Sequence, residues 1–176
     1  MTLMGSKPYS GSIAQSSGSR HIGVEMITDR STVLLAEDDP DDVLLTQVAF
    51  ERARLANPLQ VVRDGEEAIA YLSGEGAFSD RNRFPIPILL LLDLQMPKVD
   101  GFQVLEWLRT EPISRQMTVA IMTSSDHDPH ISRAYELGAD SYLIKPPDAA
   151  AMIGLVQRLH AYWMILNEVP EYHHAA

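Results

Sequence analysis

Acidic side chains stand directly after two apolar runs in this chain of 176 residues. Glu37 and Asp38 follow the first run, and Asp93 follows five consecutive aliphatic residues. Two side chains that can contact an anion, Thr123 and Lys145, come at the ends of later apolar runs. Carboxylates that lie close together repel one another strongly unless a cation separates them or their pKa values shift. If these positions meet in space, they form an acidic site with one hydroxyl and one ammonium.

Such a site could hold a hard divalent cation and carry out phosphoryl transfer. Mg²⁺ takes about six oxygen ligands and keeps several waters, so a few carboxylates suffice. We predict Asp38 and Asp93 as ligands, with the backbone carbonyl of Gln95 as a third. With the charge of Asp93 screened, its carboxylate could attack a phosphoryl donor while Lys145 and Thr123 contact the incoming oxygens. The site would then hold an aspartyl phosphate.

The lifetime of that phosphoryl group should depend on two further positions. Gln95 lies two residues after Asp93, and Ser125 lies two residues after Thr123. Their side chains should flank the approach of an attacking water, so we predict that both tune the lifetime.

Five apolar strands alternate with five amphipathic helices, which predicts an α/β fold with a doubly wound parallel sheet. In such a sheet the carboxyl ends of the strands share one edge, where ligands bind. The acidic positions above therefore fall at one edge. Asp39, Asp64, Asp100 and Asp128 instead fit as helix caps. The predicted strands are 33–36, 59–62, 88–92, 118–122 and 141–144, and the last helix is predicted from Asp148 to Asn167.

The predicted organisation is a single domain over residues 31–170, preceded by a flexible segment and followed by a short tail. Residues 1–30 are rich in Ser and Gly and lack sustained periodicity, which is typical of a flexible lead. Residues 171–176 form the predicted tail.

The composition excludes several classes of function. The net charge of -10, with 24 acidic against 14 basic residues, argues against a nucleic-acid partner. The absence of cysteine removes disulfides and thiolate chemistry, so a cytoplasmic location is expected. No apolar run approaches the ~20 residues that a bilayer-spanning helix needs, so we expect no membrane association.

Four segments in this order resemble the receiver domain of two-component response regulators, in the single-domain form of the chemotaxis regulator. The resemblance implies a flavodoxin-like receiver fold and phosphorylation by a sensor histidine kinase. It also implies an acidic pair in which Glu37 acts through water, a phosphoacceptor at Asp93, a switch aromatic at Tyr142 and a cis bond between Lys145 and Pro146. The four segments are residues 34–39, 92–101, 122–124 and 142–146.

Two features resemble a subgroup of regulators that serve cyanobacterial and bacterial phytochrome kinases. One is the long segment from Gly74 to Pro87, and the other is the C-terminal sequence from His160 to Pro170. A phytochrome-type histidine kinase is therefore the expected partner.

Two alternatives stay open beside this reading. A degenerate receiver could act as a scaffold that works without phosphorylation. Haloacid-dehalogenase-like phosphatases also use an aspartate after an apolar strand, but they need a second aspartate where this chain has Gln95.

His127 and His130 are three residues apart and fit a solvated turn better than a metal site.

The C-terminal helix carries two apolar stripes, although packing on a sheet requires only one. Exposed apolar groups often mark a partner surface, with Trp and Tyr as typical anchors. We expect no effector domain after residue 176, so output should leave through the receiver's own surface. We therefore expect a homodimer that is formed through Tyr162, Trp163 and Leu166.

Overall fold

The structure, a computed structural model, describes residues 31–161 and contains a single five-stranded sheet in that range. All neighbouring strands are parallel, in the order β2-β1-β3-β4-β5. The predicted α/β doubly wound fold is confirmed. The strands are β1 (Val33–Ala36), β2 (Leu59–Val62), β3 (Leu89–Leu92), β4 (Thr118–Thr123) and β5 (Ser141–Ile144).

Five α-helices connect and cover these strands, because each parallel pair needs a crossover. The first and last helices pack on one face of the sheet, and the other three pack on the opposite face. The helices are α1 (Pro40–Arg52), α2 (Gly65–Ser73), α3 (Gly101–Leu108), α4 (Asp128–Glu136) and α5 (Ala149–Leu159).

The central strand β3 is buried on both faces, as its unbroken aliphatic run predicts. Its side chains alternate, so Leu90 and Leu92 enter the core under α2, α3 and α4. Leu89 and Leu91 enter the second core under α1 and α5. The next residue, Asp93, therefore lies at the carboxyl end of the central strand, where helices cover both faces of the sheet.

Three of the four aspartates predicted as helix caps are confirmed. Asp39 accepts a hydrogen bond from Asp41 N at 2.8 Å, and Asp64 accepts one from Glu67 N at 2.8 Å. Asp100 forms a reciprocal capping box with Gln103. Asp128 is not a cap, because α4 begins one residue earlier than predicted and places it within the first turn.

The long segment from Gly74 to Pro87 folds back onto α2. Gly74 ends that helix with a φ of 71°, a conformation that suits glycine. The Arg81 guanidinium then donates to the carbonyls of Tyr71 and Leu72, each at 2.7 Å. Phe78 and Phe84 pack against the Tyr71 ring. The segment is thus an ordered extension of the core rather than a loose loop.

One expectation is wrong, and three concern residues outside the described range. The Lys145–Pro146 peptide bond is trans, so the predicted cis bond is wrong; X-Pro bonds retain a trans preference of ~0.5–1 kcal/mol. Outside the described residues lie the predicted flexible lead, the tail and the interface residues Tyr162, Trp163 and Leu166.

Within residues 31–161, no helix combines the length and apolar character needed to span a bilayer.

Candidate functional site

The carboxyl ends of β1 and β3 bring three carboxylates together. Ala36 is paired with Leu92, and Asp93 N donates to Ala36 O at 3.0 Å, so the residues after both strands are neighbours. Carboxylate oxygens of Glu37, Asp38 and Asp93 all lie within 4.8 Å of one another. Glu37 and Asp93 are buried, whereas Asp38 is exposed at the mouth of the site.

The loop after Asp93 is held tightly against the strand end. Gly101 N donates to Leu94 O at 3.1 Å, and a Cβ at Gly101 would lie only 2.2 Å from the Asp93 carbonyl oxygen. Glycine is therefore required at position 101 for the loop to close. The Gln95 backbone N–H donates to Asp93 Oδ1 at 3.3 Å, which orients the carboxylate, and the Gln95 side chain is exposed.

Lys145 lies between three carboxylates. Its Nζ is 2.6 Å from Glu37 Oε2, 2.7 Å from Asp42 Oδ2 and 2.9 Å from Asp93 Oδ2. Only 8% of the lysine side chain is exposed. Burial lowers the pKa of Lys145, but the three ion pairs outweigh it and raise that pKa above its usual value. The ammonium therefore stays charged and is held against the acceptor oxygen.

Asp42 is a member of this site that the sequence analysis missed. It lies in the first turn of α1 and is half-buried, with its carboxylate on the Lys145 ammonium. Sequence spacing does not reveal this contact, because Asp42 and Lys145 are 103 residues apart and meet only through the packing of α1 against the end of β5.

Thr123 and Tyr142 meet at the loop after β4. Thr123 is fully buried, and its Oγ1 accepts a long hydrogen bond from Ser125 N at 3.4 Å. The Tyr142 hydroxyl donates to the Ser125 carbonyl at 2.9 Å. Burial raises the pKa of Tyr142, so its hydroxyl remains a donor. Thr123 and the predicted switch aromatic Tyr142 are therefore linked through one loop residue.

His130, in the first turn of α4, contacts this loop, contrary to the expectation of a solvated turn. Its Nδ1 lies 2.8 Å from Ser125 Oγ, and its half-buried ring packs edge-on against Phe102 at 5.5 Å between centroids. His127 is exposed, as expected.

The carboxylate cluster fits a hard divalent cation. Carboxylate oxygens are the ligands that such ions prefer. Four carboxylates lie at this site, and three of them share the ammonium of Lys145, so negative charge is in excess. Asp38 is exposed and can coordinate an ion that also reaches Asp93.

Burial raises the pKa of Glu37 from 4.5 to about 7, even though the Lys145 ion pair acts in the opposite direction. The folded protein thus binds this proton more tightly than the unfolded chain. In metal-free buffer the contribution of Glu37 to the free energy of unfolding should be fully present below about pH 4.5 and be lost as the pH rises through about 7. The Glu37 contribution is up to about 3 kcal/mol.

Urea unfolding of the wild type and of Glu37→Gln between pH 5 and pH 7.5 tests this expectation. Glutamine resembles the protonated glutamate and cannot titrate, so the variant should lose stability less steeply as the pH rises. Equal slopes for the two proteins would show that Glu37 keeps an ordinary pKa.

The family model described as "Response regulator receiver domain" matches residues 33–157. This chain is a response regulator receiver domain. Its fold agrees with the solved structures of other regulators. The response regulator RPA3017, from red light signalling of R. palustris, is 36% identical, with a TM-score of 0.75 over 81% of this chain and 99% of that chain.

Two curated relatives match the receiver over most of their length. FilR2, a probable methanogenesis regulatory protein of Methanothrix harundinacea, is 33% identical over 81% of this chain and 89% of its own. Response regulator Rcp1 of Synechocystis is 31% identical over 78% of this chain and 92% of its own. A solved Mn²⁺-bound form of Rcp1 has a TM-score of 0.70 over 80% of this chain and 99% of that chain.

Proposed function

We propose that this receiver accepts a phosphoryl group on Asp93 from a sensor histidine kinase. The observation that carries the proposal is the placement of a buried acceptor carboxylate between the Lys145 ammonium and the carboxylates of Glu37 and Asp38. Glu37 is also buried against the Lys145 ammonium in this cluster, so the choice of Asp93 as the acceptor rests in addition on its place directly after the central strand β3. The chemistry of the domain is limited to its own phosphorylation and dephosphorylation.

Mg²⁺ would be held by Asp38, Asp93 and the Gln95 carbonyl, with Glu37 acting through water, and it would neutralise charge between acceptor and donor. An Asp93 carboxylate oxygen attacks phosphorus as the bond to the donor's leaving group breaks, and the leaving group takes that electron pair. Lys145 Nζ already donates to Asp93 Oδ2 and can follow the transferred oxygens.

Incubation with acetyl phosphate and Mg²⁺, followed by intact-mass measurement, tests this function. The wild type should gain one phosphoryl group, and EDTA should prevent the gain. A protein that takes up no phosphoryl group under these conditions would be a scaffold rather than an active receiver.

The proposed donor is a phytochrome-type kinase in the cytoplasm. The support is the similarity to Rcp1 and to a regulator of red light signalling. The equally similar FilR2 has a different role, so transfer from a purified phytochrome kinase is the deciding assay. Phosphoryl transfer from the phytochrome kinase should be faster than from a non-phytochrome sensor kinase; equal rates would contradict the assignment.

The excess of acidic residues supports a protein partner rather than nucleic acid.

Thr123→Ala should uncouple Tyr142 from phosphorylation. The Thr123 hydroxyl is proposed to turn toward the phosphoryl oxygens, which frees space for the tyrosine ring to move inward in a shift of populations. With the hydroxyl removed, the phosphorylation-induced NMR shift of the Tyr142 ring should fall to less than half. Thr118→Ala, at the other end of β4, is the matched control. A full shift in Thr123→Ala would contradict the coupling.

We also propose that the chain forms a homodimer through Tyr162, Trp163 and Leu166. The support is the sequence pattern described above, because these residues lie outside the described range. Trp163→Ala should weaken self-association at least tenfold in sedimentation experiments, since aromatic anchors commonly contribute ~2 kcal/mol or more. Phosphorylation of Asp93 should persist. A wild type that stays monomeric at high concentration, with and without phosphorylation, would rule out the dimer.

A further inference from the structure

The loop that carries Gln95, residues 94–100, is bound near its far end to the start of α2; we call it the acceptor loop. Lys98 Nζ donates to Asp64 Oδ2 at 2.5 Å, and only 7% of the Asp64 side chain is exposed. The other carboxylate oxygen, Asp64 Oδ1, accepts from Glu67 N in the first turn of α2. One buried carboxylate therefore caps a helix and holds the acceptor loop at the same time.

The backbones of the acceptor loop and α2 are also in close contact. Gly65 N donates to Val99 O at 3.1 Å, and a Cβ at Gly65 would lie only 2.2 Å from that carbonyl oxygen. Glycine at position 65 therefore allows the helix to approach the loop. The ion pair and the backbone hydrogen bond involve adjacent residues of the loop, so they fix the same segment.

Lys98 has a backbone conformation that lysine rarely adopts. Its φ is 63°, in the left-handed region, which is unfavourable for a residue with a Cβ. Residues remain in this region where surrounding contacts impose the conformation. The Lys98 side chain makes two such contacts, the short bond to Asp64 and a longer ion pair with Glu66 at 3.6 Å. These contacts offset the cost of the backbone conformation.

A short and stiff segment joins Lys98 to Gln95. Lys98 comes three residues after Gln95, and Pro97 lies between them. The proline ring fixes its own φ and restricts the conformation of the residue before it. The position of Lys98 therefore limits where the Gln95 carbonyl can lie.

We propose that Asp64 and Lys98 are positioning residues that hold the acceptor loop in the shape in which the Gln95 carbonyl can bind Mg²⁺. This inference rests on the proposed function, which assigns that carbonyl to the ion. Both residues act through the backbone of the loop rather than by contact with the ion. If the loop adopts this shape for only part of the time, the apparent affinity falls by the fraction of time that is lost.

Calorimetric titration with MgCl₂ at one fixed pH and ionic strength compares two single variants with the wild type. Lys98→Met keeps an unbranched side chain without the ammonium. Asp64→Asn keeps the helix cap but removes the charge that Lys98 contacts. Each variant should bind Mg²⁺ roughly threefold to tenfold more weakly, because a hydrogen bond between two charged groups, one of them buried, is among the stronger ones.

The direction of the two effects separates positioning from simple electrostatics. Loss of the cation at Lys98 should by itself strengthen the binding of a divalent cation, whereas loss of the anion at Asp64 should weaken it. The positioning role predicts weaker binding in both variants. It also predicts that the two losses are not additive, so the double variant should stay within about a factor of two of the weaker single variant.

Two control variants alter the same group of charges without breaking the bond to Asp64. Lys98→Arg keeps a cation that can bond the carboxylate, so its Mg²⁺ affinity should stay within about a factor of two of the wild type. Glu66→Gln removes the exposed carboxylate that lies 3.6 Å from the same ammonium. It should also stay within about a factor of two, because exposed ion pairs contribute little.

Amide hydrogen exchange in EDTA gives a second readout that does not depend on the metal. The Gly65 N–H, which donates to Val99 O, should exchange at least about threefold faster in Lys98→Met than in the wild type, because the loop opens locally more often. The Leu91 N–H in the central strand β3 should exchange at an unchanged rate, since the core does not depend on this contact.

The outcomes distinguish the positioning role from the proposed function. A wild type that binds no Mg²⁺ and takes no phosphoryl group from acetyl phosphate would overturn the proposed function and the positioning role with it. If the wild type binds Mg²⁺ but Lys98→Met binds it equally or more tightly, or the Gly65 N–H exchanges at an unchanged rate, the positioning role alone is overturned. Thermal unfolding of each variant confirms that folded proteins are compared.

Discussion

Asp93→Asn should abolish phosphorylation by acetyl phosphate, with a loss of at least about a hundredfold in rate, because an amide is not a nucleophile toward phosphorus at neutral pH. The substitution keeps the size of the side chain and one oxygen that can accept from Lys145 or Gln95 N. The fold and the metal cluster should therefore survive in part. Intact-mass measurement over time gives the rate.

Asp100→Asn is the matched control for this experiment. Asp100 lies in the same loop but caps α3, and asparagine caps a helix about as well as aspartate. Its phosphorylation rate should stay close to that of the wild type. If Asp93→Asn still gained a phosphoryl group at an undiminished rate, another residue would be the acceptor.

Asp38→Asn should weaken Mg²⁺ binding by at least tenfold. Loss of a residue that only supports a ligand typically costs ~10–100-fold in metal affinity, and loss of a direct carboxylate ligand should cost no less. Asp38 is the exposed member of the cluster with Glu37 and Asp93, so it is the carboxylate that an entering ion meets first. Calorimetric titration with MgCl₂ measures the change.

Asp39→Asn separates ligand loss from a general loss of charge. Asp39 is adjacent in sequence, is exposed and caps α1, a role that asparagine preserves. It should weaken Mg²⁺ binding by less than about threefold, because exposed charges are largely screened. Equal losses in Asp38→Asn and Asp39→Asn would mean that the ion responds only to the negative charge of this region. Asp38 would then not be a ligand, and the ion would bind at another site.

The fold could be predicted because local patterns and topology point the same way. Five aliphatic residues before Asp93 have no polar face, so they require a strand covered on both sides, and β3 is such a strand. Apolar runs ending in Glu37, Thr123 and Lys145 then had to meet at one sheet edge. Placement of the main site residues therefore needed no knowledge of side-chain contacts.

The remaining contacts depend on how helices are oriented over that edge, which sequence spacing does not determine. Asp42 reaches Lys145 only because α1 and β5 converge at the site from distant parts of the chain. Ser125 lies in the loop after β4, and the bond from its hydroxyl to His130 depends on how α4 begins. The isomer of the Lys145–Pro146 bond is likewise decided by tertiary context, and the structure contradicts the expected cis form.

The central claim is that the phosphoryl group resides on Asp93, and chemical mapping of the modified residue tests it most directly. The protein is phosphorylated with acetyl phosphate and Mg²⁺, reduced with borohydride, which converts an aspartyl phosphate to homoserine, and digested for peptide mass analysis. We predict homoserine at position 93 and at no other aspartate. Homoserine at a different position, or a phosphoryl group retained on serine, threonine or histidine after reduction, would contradict the assignment of this site.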